Sequence, residues 1–257
     1  MSRTTYLTTS WDDGHPLDLR VADLLAKHRL PGTFYVPMRA QNSTMTVAQV
    51  RELRRGFEIG AHTLDHVILT RASDDQARQQ IARSKSWLED STGLPCMMFC
   101  PPEGRYSRRH LKMVQKAGYV GLRSVELGSL DCPHPKDGLM LMPTSVQAYP
   151  LSPVVFYKNA AKRAAFRNLC RHIVHGRSTD WPGLAAGLLG EAIAKGGVFH
   201  LWGHSWELEQ AGQWQRLDDV LAMMSELAPQ AVVLSNGEIC QCLSRVVSER
   251  APVAPLA

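Results

Sequence analysis

The chain has 257 residues, 44% hydrophobic, with six each of Trp, Tyr and Phe, enough apolar material to fill a core, which excludes a disordered protein. Its net charge of +5 is too mild to argue for nucleic-acid binding, and no segment approaches the ~18 consecutive apolar residues of a membrane span. Six cysteines without paired CxxC spacing, behind an N-terminus that shows no apolar leader, favour free thiols and a cytoplasmic location.

Apolar, β-branched runs alternate with helical patterns along the chain. Tyr6–Ser10 is the first strand, and Leu17, Val21, Leu24 and Leu25 mark one face of the helix after it. Thr33–Val36 is the second strand, Val47, Val50 and Leu53 a short helix, and Phe57–Ala61 the third strand. Ser73 with Gln76 reads as a capping box opening a helix that passes Ile81 and Leu88 and ends at Gly93. Met97–Cys100 follows as a strand, Ser107 caps a helix closed by Gly118, and Tyr119–Val125 and Leu139–Val146 are the next strands. Lys158, Lys162, Arg163, Arg167, Arg171 and Arg177 recur among apolar residues at near-helical spacing, which reads as a solvated helix face or, alternatively, a site for an anionic group. Leu184–Lys195 is a helix stopped by Gly196-Gly197, and Val198–Gly203 and Ala231–Leu234 complete eight strands. Residues 1–247 read as one domain and 248–257 as a flexible tail. The alternation implies parallel strands with crossover helices, and a β/α barrel fits better than an open sheet because no GxGxxG follows the first strand.

Chemistry-bearing residues gather where strands end. The first strand runs into Ser10-Trp11-Asp12-Asp13-Gly14, and two adjacent carboxylates beside a buried strand need a cation or donor, although Asp-Asp-Gly alone is also a turn sequence. His62 and His66, four residues apart after the third strand, can present both imidazoles to one divalent ion. Cys100-Pro101-Pro102-Glu103-Gly104 leaves the fourth strand as a rigid turn, and His200, Trp202 and His204 share one strand face. Taken together, these groups lie on the C-terminal face of a barrel, where catalytic residues collect.

The ordered set Ser-Trp-Asp-Asp-Gly, Ala-His-Thr-Leu-Asp-His, Cys-Pro-Pro-Glu-Gly and Leu-Trp-Gly-His, spanning about Thr5 to His204, resembles the polysaccharide deacetylase family, carbohydrate esterase family four. The resemblance implies a single distorted, TIM-like β/α barrel of seven to eight parallel strands. It also implies removal of acetyl from an N-acetylated sugar with one divalent metal, zinc being expected and cobalt, manganese or nickel the alternatives. Residue by residue it makes Asp12 the catalytic base, Asp13, His62 and His66 the metal ligands, and His204 the general acid, with His200 as the fallback. Cys100 stands where the family usually has an Arg that orients the catalytic Asp, and Arg123 is the expected substitute. Glu103 replaces the usual aromatic residue, and the family's Asp-and-Trp fourth motif is not recognisable. Trp11, Pro102 and Trp202 are expected to contact substrate, with Trp206 a further aromatic near the mouth. Because the Arg is displaced, a ring amide or ureide is an alternative substrate, and a non-catalytic carbohydrate-binding relative is a third reading. Partners are expected to be an acetylated sugar or related small amide, with no nucleic acid.

Overall fold

The computed structural model describes residues 4–162, 165–176 and 179–250. In its first half β1 (Thr5–Asp12), α1 (Asp18–Lys27), β2 (Thr33–Val36), α2 (Val47–Leu53), β3 (Glu58–Ala61), α3 (Asp74–Thr92), β4 (Met98–Phe99), α4 (Arg108–Lys116) and β5 (Gly121–Arg123) alternate as expected. Helix starts follow local chemistry: the Ser73 hydroxyl accepts from the Gln76 amide at 3.2 Å, Thr46 and Gln49 form a capping box, and Gly93 closes α3 at φ 70°.

The second half departs more. A hairpin of β6 (His134–Lys136) and β7 (Leu139–Met142) turns on Asp137-Gly138, both at positive φ, and β8 (Val146–Gln147) follows. Leu139–Val146, expected as one strand, is therefore interrupted around Pro143, which has no N–H for a ladder. Helices α5 (Pro153–Lys162), α6 (Phe166–His175) and α7 (Trp181–Lys195) lead to β9 (Gly197–Gly203), and then come α8 (Ser205–Gln210), α9 (Trp214–Leu227), β10 (Val232–Val233) and α10 (Asn236–Arg250). Residues 248–250, expected as tail, continue α10, and 251–257 lie outside the described residues, as do Arg163 and Arg177 of the basic stretch.

The sheet order is β6-β7-β5-β4-β3-β2-β1-β9-β8, with β10 beside β1 and only β6·β7 antiparallel. The segment 139–147 bonds β5 through its first part and β9 through its second, so seven parallel strand positions run round a distorted barrel. The Ser145 amide bridges the change of partner by donating to the His200 carbonyl at 3.0 Å.

Side chains alternate along β1, and the parity decides what each can do. Leu7 and Trp11 face outward into the main core against the helices, together with Phe34, Leu122, Phe199 and Leu201. Tyr6 faces inward with Tyr35, Met98, Met140, Met142 and Val198, and Ile239 and Cys240 of α10 belong to this inner cluster. Ser10 and Asp12 share the inward parity, and Ser10 hydrogen-bonds His200 across the interior at 2.8 Å. Inward residues thus reach the C-terminal mouth without competing with the apolar core.

Candidate active site

Strand ends deliver the groups to one cleft of about 400 Å³, lined by Asp12, Asp13, His62, His66, Trp202 and His204 among others. Asp13 takes a left-handed conformation at φ 77°, and Thr63 and His66 do the same at φ 59° and 53°. Non-glycine residues are held there only when surroundings over-determine them. Here the Thr63 hydroxyl accepts from the Val67 amide at 2.9 Å, and Gln80 of α3 clamps Asp65, accepting from its amide at 2.8 Å and donating to its carboxylate at 2.7 Å.

The result is a converging donor set. Asp13 Oδ1 is 3.4 Å from His62 Nε2 and 3.1 Å from His66 Nε2. One ligand atom from each of the three lies within 4.8 Å of the others. His62 Nδ1 is 2.8 Å from the Cys100 carbonyl, to which it donates, so Nε2 is the nitrogen presented to Asp13 and available to an ion. The Trp206 indole donates to Asp13 Oδ2 at 2.9 Å and fixes the carboxylate plane. Burial would raise the Asp13 pKa, but its bonds to the two histidines outweigh that and hold it far below the usual range. One carboxylate and two imidazoles fit a borderline divalent ion and leave coordination positions free.

Asp12 belongs to a different group. Both of its carboxylate oxygens receive Arg123 Nη2, and the guanidinium is fully buried. Burial pushes the Asp12 pKa up, but the charge of Arg123, with His62 and His204, more than reverses this and keeps it ionised. Arg123, expected as the substitute for the displaced Arg, thus lies against Asp12. Its face also packs over the Trp202 ring at 4.7 Å and the Tyr35 ring at 5.2 Å. Cys100 Sγ, 3.9 Å from Asp12 Oδ2, is a buried thiol whose pKa burial raises well above normal, so it is neutral there.

Across the cleft, His204 Nε2 is 4.0 Å from Asp12 Oδ2 while its Nδ1 is 2.6 Å from Glu207 Oε2. Burial disfavours the imidazolium, but the bond to Glu207 and the charges of Asp12 and Asp13 lift its pKa to about 9. Gln147 of β8 donates to the same Glu207 oxygen at 2.9 Å. His200 is unlike it. Burial, helped by the Arg123 charge, pushes its pKa down to about 3, and both ring nitrogens are taken, by Ser10 and by the Pro143 carbonyl at 2.9 Å. His200 lies inside the barrel and does not line the cleft.

Two expected substrate contacts are corrected. Trp11 has no exposed surface and packs in the main core, because its parity on β1 is opposite to that of Asp12. Pro102 is buried in the turn Pro102–Gly104, and the cleft is reached instead by Glu103, at φ 54°, and Gly104. Trp202 lines the cleft. Glu207 and Gln147 had no motif to announce them; only the His-x-x-Glu spacing of a first helical turn could have marked Glu207.

Residues 2–122 match the polysaccharide deacetylase family profile. That part of the chain is similar to the polysaccharide deacetylase family. A peptidoglycan N-acetylglucosamine deacetylase of Bacillus cereus is 33% identical over 101 residues, 39% of this chain and 46% of the relative. The chain thus aligns with less than half the length of that relative. Among solved structures, a Mycobacterium smegmatis protein provisionally named a polysaccharide deacetylase superposes with a TM-score of 0.70 at 16% identity, over 100% of this chain and 95% of the other. A family 4 acetyl xylan esterase from Clostridium thermocellum in complex with cobalt gives 0.55 at 16% identity, over 93% and 92%. At those identities the likeness establishes the distorted β/α barrel.

Proposed function

We propose that the protein is a metal-dependent deacetylase that hydrolyses the acetamido group of an N-acetylated sugar. The observation that carries this reading is the convergence of the Asp13–His62–His66 set with an ionised Asp12 and a protonated His204 around one cleft. The deacetylase named above, 33% identical over 101 residues, supports an acetylated amino sugar over a ring amide.

Asp13, His62 and His66 would hold a divalent ion, with zinc favoured by the donor types. Such an ion supplies Lewis-acid polarisation of the acetyl carbonyl and acidifies water. Asp12, kept ionised by Arg123, accepts the proton as water adds to the acyl carbon. His204 Nε2–H donates to the departing amine nitrogen when the C–N bond breaks, releasing acetate and the free amino sugar. Two titratable groups about 4 Å apart are thus held in opposite protonation states by their partners, the division that acid–base catalysis needs. Trp202 and Trp206 give the cleft apolar walls on which a sugar ring can pack. All six cysteines are free, which supports a reducing, cytoplasmic compartment.

Elemental analysis of the purified chain and its Asp13→Ala variant, paired with acetate release from N-acetylglucosamine oligomers, tests the reading. The expected result is about one divalent ion per chain, lost in the variant together with acetate release. Metal without acetate from any N-acetyl sugar, but with opening of a cyclic imide, would replace it with the ring-amide reading.

A further inference from the structure

Helix α6 is inside out. Phe166, Cys170, Ile173 and Val174 fall at i, i+4, i+7 and i+8, one helical stripe, and all are exposed, Phe166 by 76%, Ile173 by 69% and Val174 by 75%. Its buried residues are Asn168, Arg171 and His172. Polar contacts fix this orientation: Arg171 Nε donates to Glu191 Oε1 at 3.2 Å, His175 Nε2 is 2.7 Å from Glu191 Oε2, and Asn168 Nδ2 donates to Glu126 Oε1 at 3.1 Å. Neighbouring α5 exposes Val154, Val155 and Tyr157. Six of the nine large apolar side chains exposed among the described residues therefore belong to these two helices.

The charge around this face is one-sided. From Gly138 to Thr179 the sequence contains no Asp or Glu. Lys158 and Lys162, at i+4 and i+8 from exposed Val154 on α5, and Arg167, next to Phe166 on α6, are exposed, and Arg167 meets an acid at 3.7 Å, in a solvent-exposed pair with Asp131. Exposed apolar side chains interleaved with basic ones, on helices too short and too polar to cross a bilayer, match an element that lies in the plane of an anionic interface. A second copy docked face to face would bring two surfaces of net positive charge together, which repel.

We propose that the exposed face of α5 and α6 docks the protein on an anionic phospholipid surface. Val155 and Asn159 of α5 also line the cleft, so docking sets the cleft mouth against the headgroups. Docking of this kind is independent of the reaction catalysed. The test is flotation of the full chain with vesicles of phosphatidylglycerol and phosphatidylcholine, beside pure phosphatidylcholine vesicles. The wild type floats with the anionic vesicles only. Phe166→Ser combined with Ile173→Ser, and separately Lys158→Glu combined with Lys162→Glu, each lower the bound fraction roughly tenfold or more while leaving the far-UV circular dichroism unchanged. These positions are exposed, so the variants keep the fold. No flotation of the wild type, or flotation that survives both double variants, overturns the proposal. A dimer in vesicle-free solution that the Phe166→Ser, Ile173→Ser variant splits, with no flotation, assigns the face to a second copy instead.

Discussion

The two halves of the site are built differently. Asp12, Asp13, His62 and His66 come from β1, β3 and the turns that leave them, within residues 2–122 that match the family profile. Arg123, Gln147, His204 and Glu207 come from β5, β8, the link between β9 and α8, and α8, and the match stops one residue before Arg123. The first half brings donors to a point, which demands fixed residue types at fixed strand ends. The second half sets charge states, which demands only that a cation reach Asp12 and a carboxylate reach His204. Any position around the barrel mouth with the right reach can supply those, so the second task leaves a much weaker trace in sequence.

The largest effects are expected at the groups proposed to move protons. Asp12→Asn and His204→Ala are each expected to lower turnover roughly 10²- to 10⁴-fold with metal content unchanged. Loss of metal from either variant would break the division between the halves. Asp12→Asn also leaves the buried Arg123 uncompensated, so its melting temperature falls, while that of His204→Ala changes little. Arg123→Met tests the pair from the other side: removing one partner of a buried ion pair costs about 3–5 kcal/mol, readable by urea unfolding, and the remaining carboxylate, deprived of its cation, takes up a proton at higher pH. Trp11→Ala is expected to cost a similar amount, about 3–5 kcal/mol, through the cavity it leaves, with turnover per folded molecule preserved. Lost turnover in folded Trp11→Ala would return that residue to the substrate wall.

A smaller effect separates Glu207 from a merely structural carboxylate. In its proposed role as acid His204 must be protonated, so activity is expected to fall as pH rises through the His204 pKa, which Glu207 helps hold near 9. Removing the negative charge with Glu207→Gln lowers that pKa. The alkaline limb of kcat therefore moves to lower pH, by roughly one pH unit for the loss of one charge-assisted bond. A limb that stays in place while only stability drops would leave Glu207 a structural role.

Strand parity explains which expectations held. The alternation of β1 is visible in Tyr6-Leu7-Thr8-Thr9-Ser10-Trp11-Asp12, but the sequence alone does not say which set faces inward, since both are buried; only the hydroxyl and carboxylate series can reach the polar mouth. Trp11 was legible as a buried aromatic and not as to its side. The barrel was legible through β5 because buried apolar strands alternate there with amphipathic helices, of which α2 and α3 carry side-chain caps and α3 a glycine stop. The later part was not, because β6 is exposed on all three residues and β8 is two residues long. Leu217, Val220, Leu221 and Met224 of α9 carry a plain helical period, so that helix is readable in retrospect from spacing alone. His62 and His66 were readable from their separation, whereas Arg123 and Asp12 are 111 residues apart and meet only because β1 and β5 both end at the mouth.

The smallest expected effect sharpens the comparison most. Asp12, His62 and Cys100 form a second group whose ligand atoms also lie within 4.8 Å, so proximity alone does not choose between two metal sets. Chemistry does. The Asp12 oxygens are both engaged by Arg123, and burial keeps the Cys100 thiol protonated, the form that does not ligate. A cation placed there would also face the buried guanidinium. Cys100→Ala is accordingly expected to retain metal and to keep turnover within about threefold, with a loss of roughly 1 kcal/mol in stability for the vacated volume. The backbone carbonyl that orients His62 is untouched by the substitution. Metal loss from Cys100→Ala, with Asp13→Ala still loaded, would move the ion to the Arg123 side of the cleft and deprive Asp12 of its role as base.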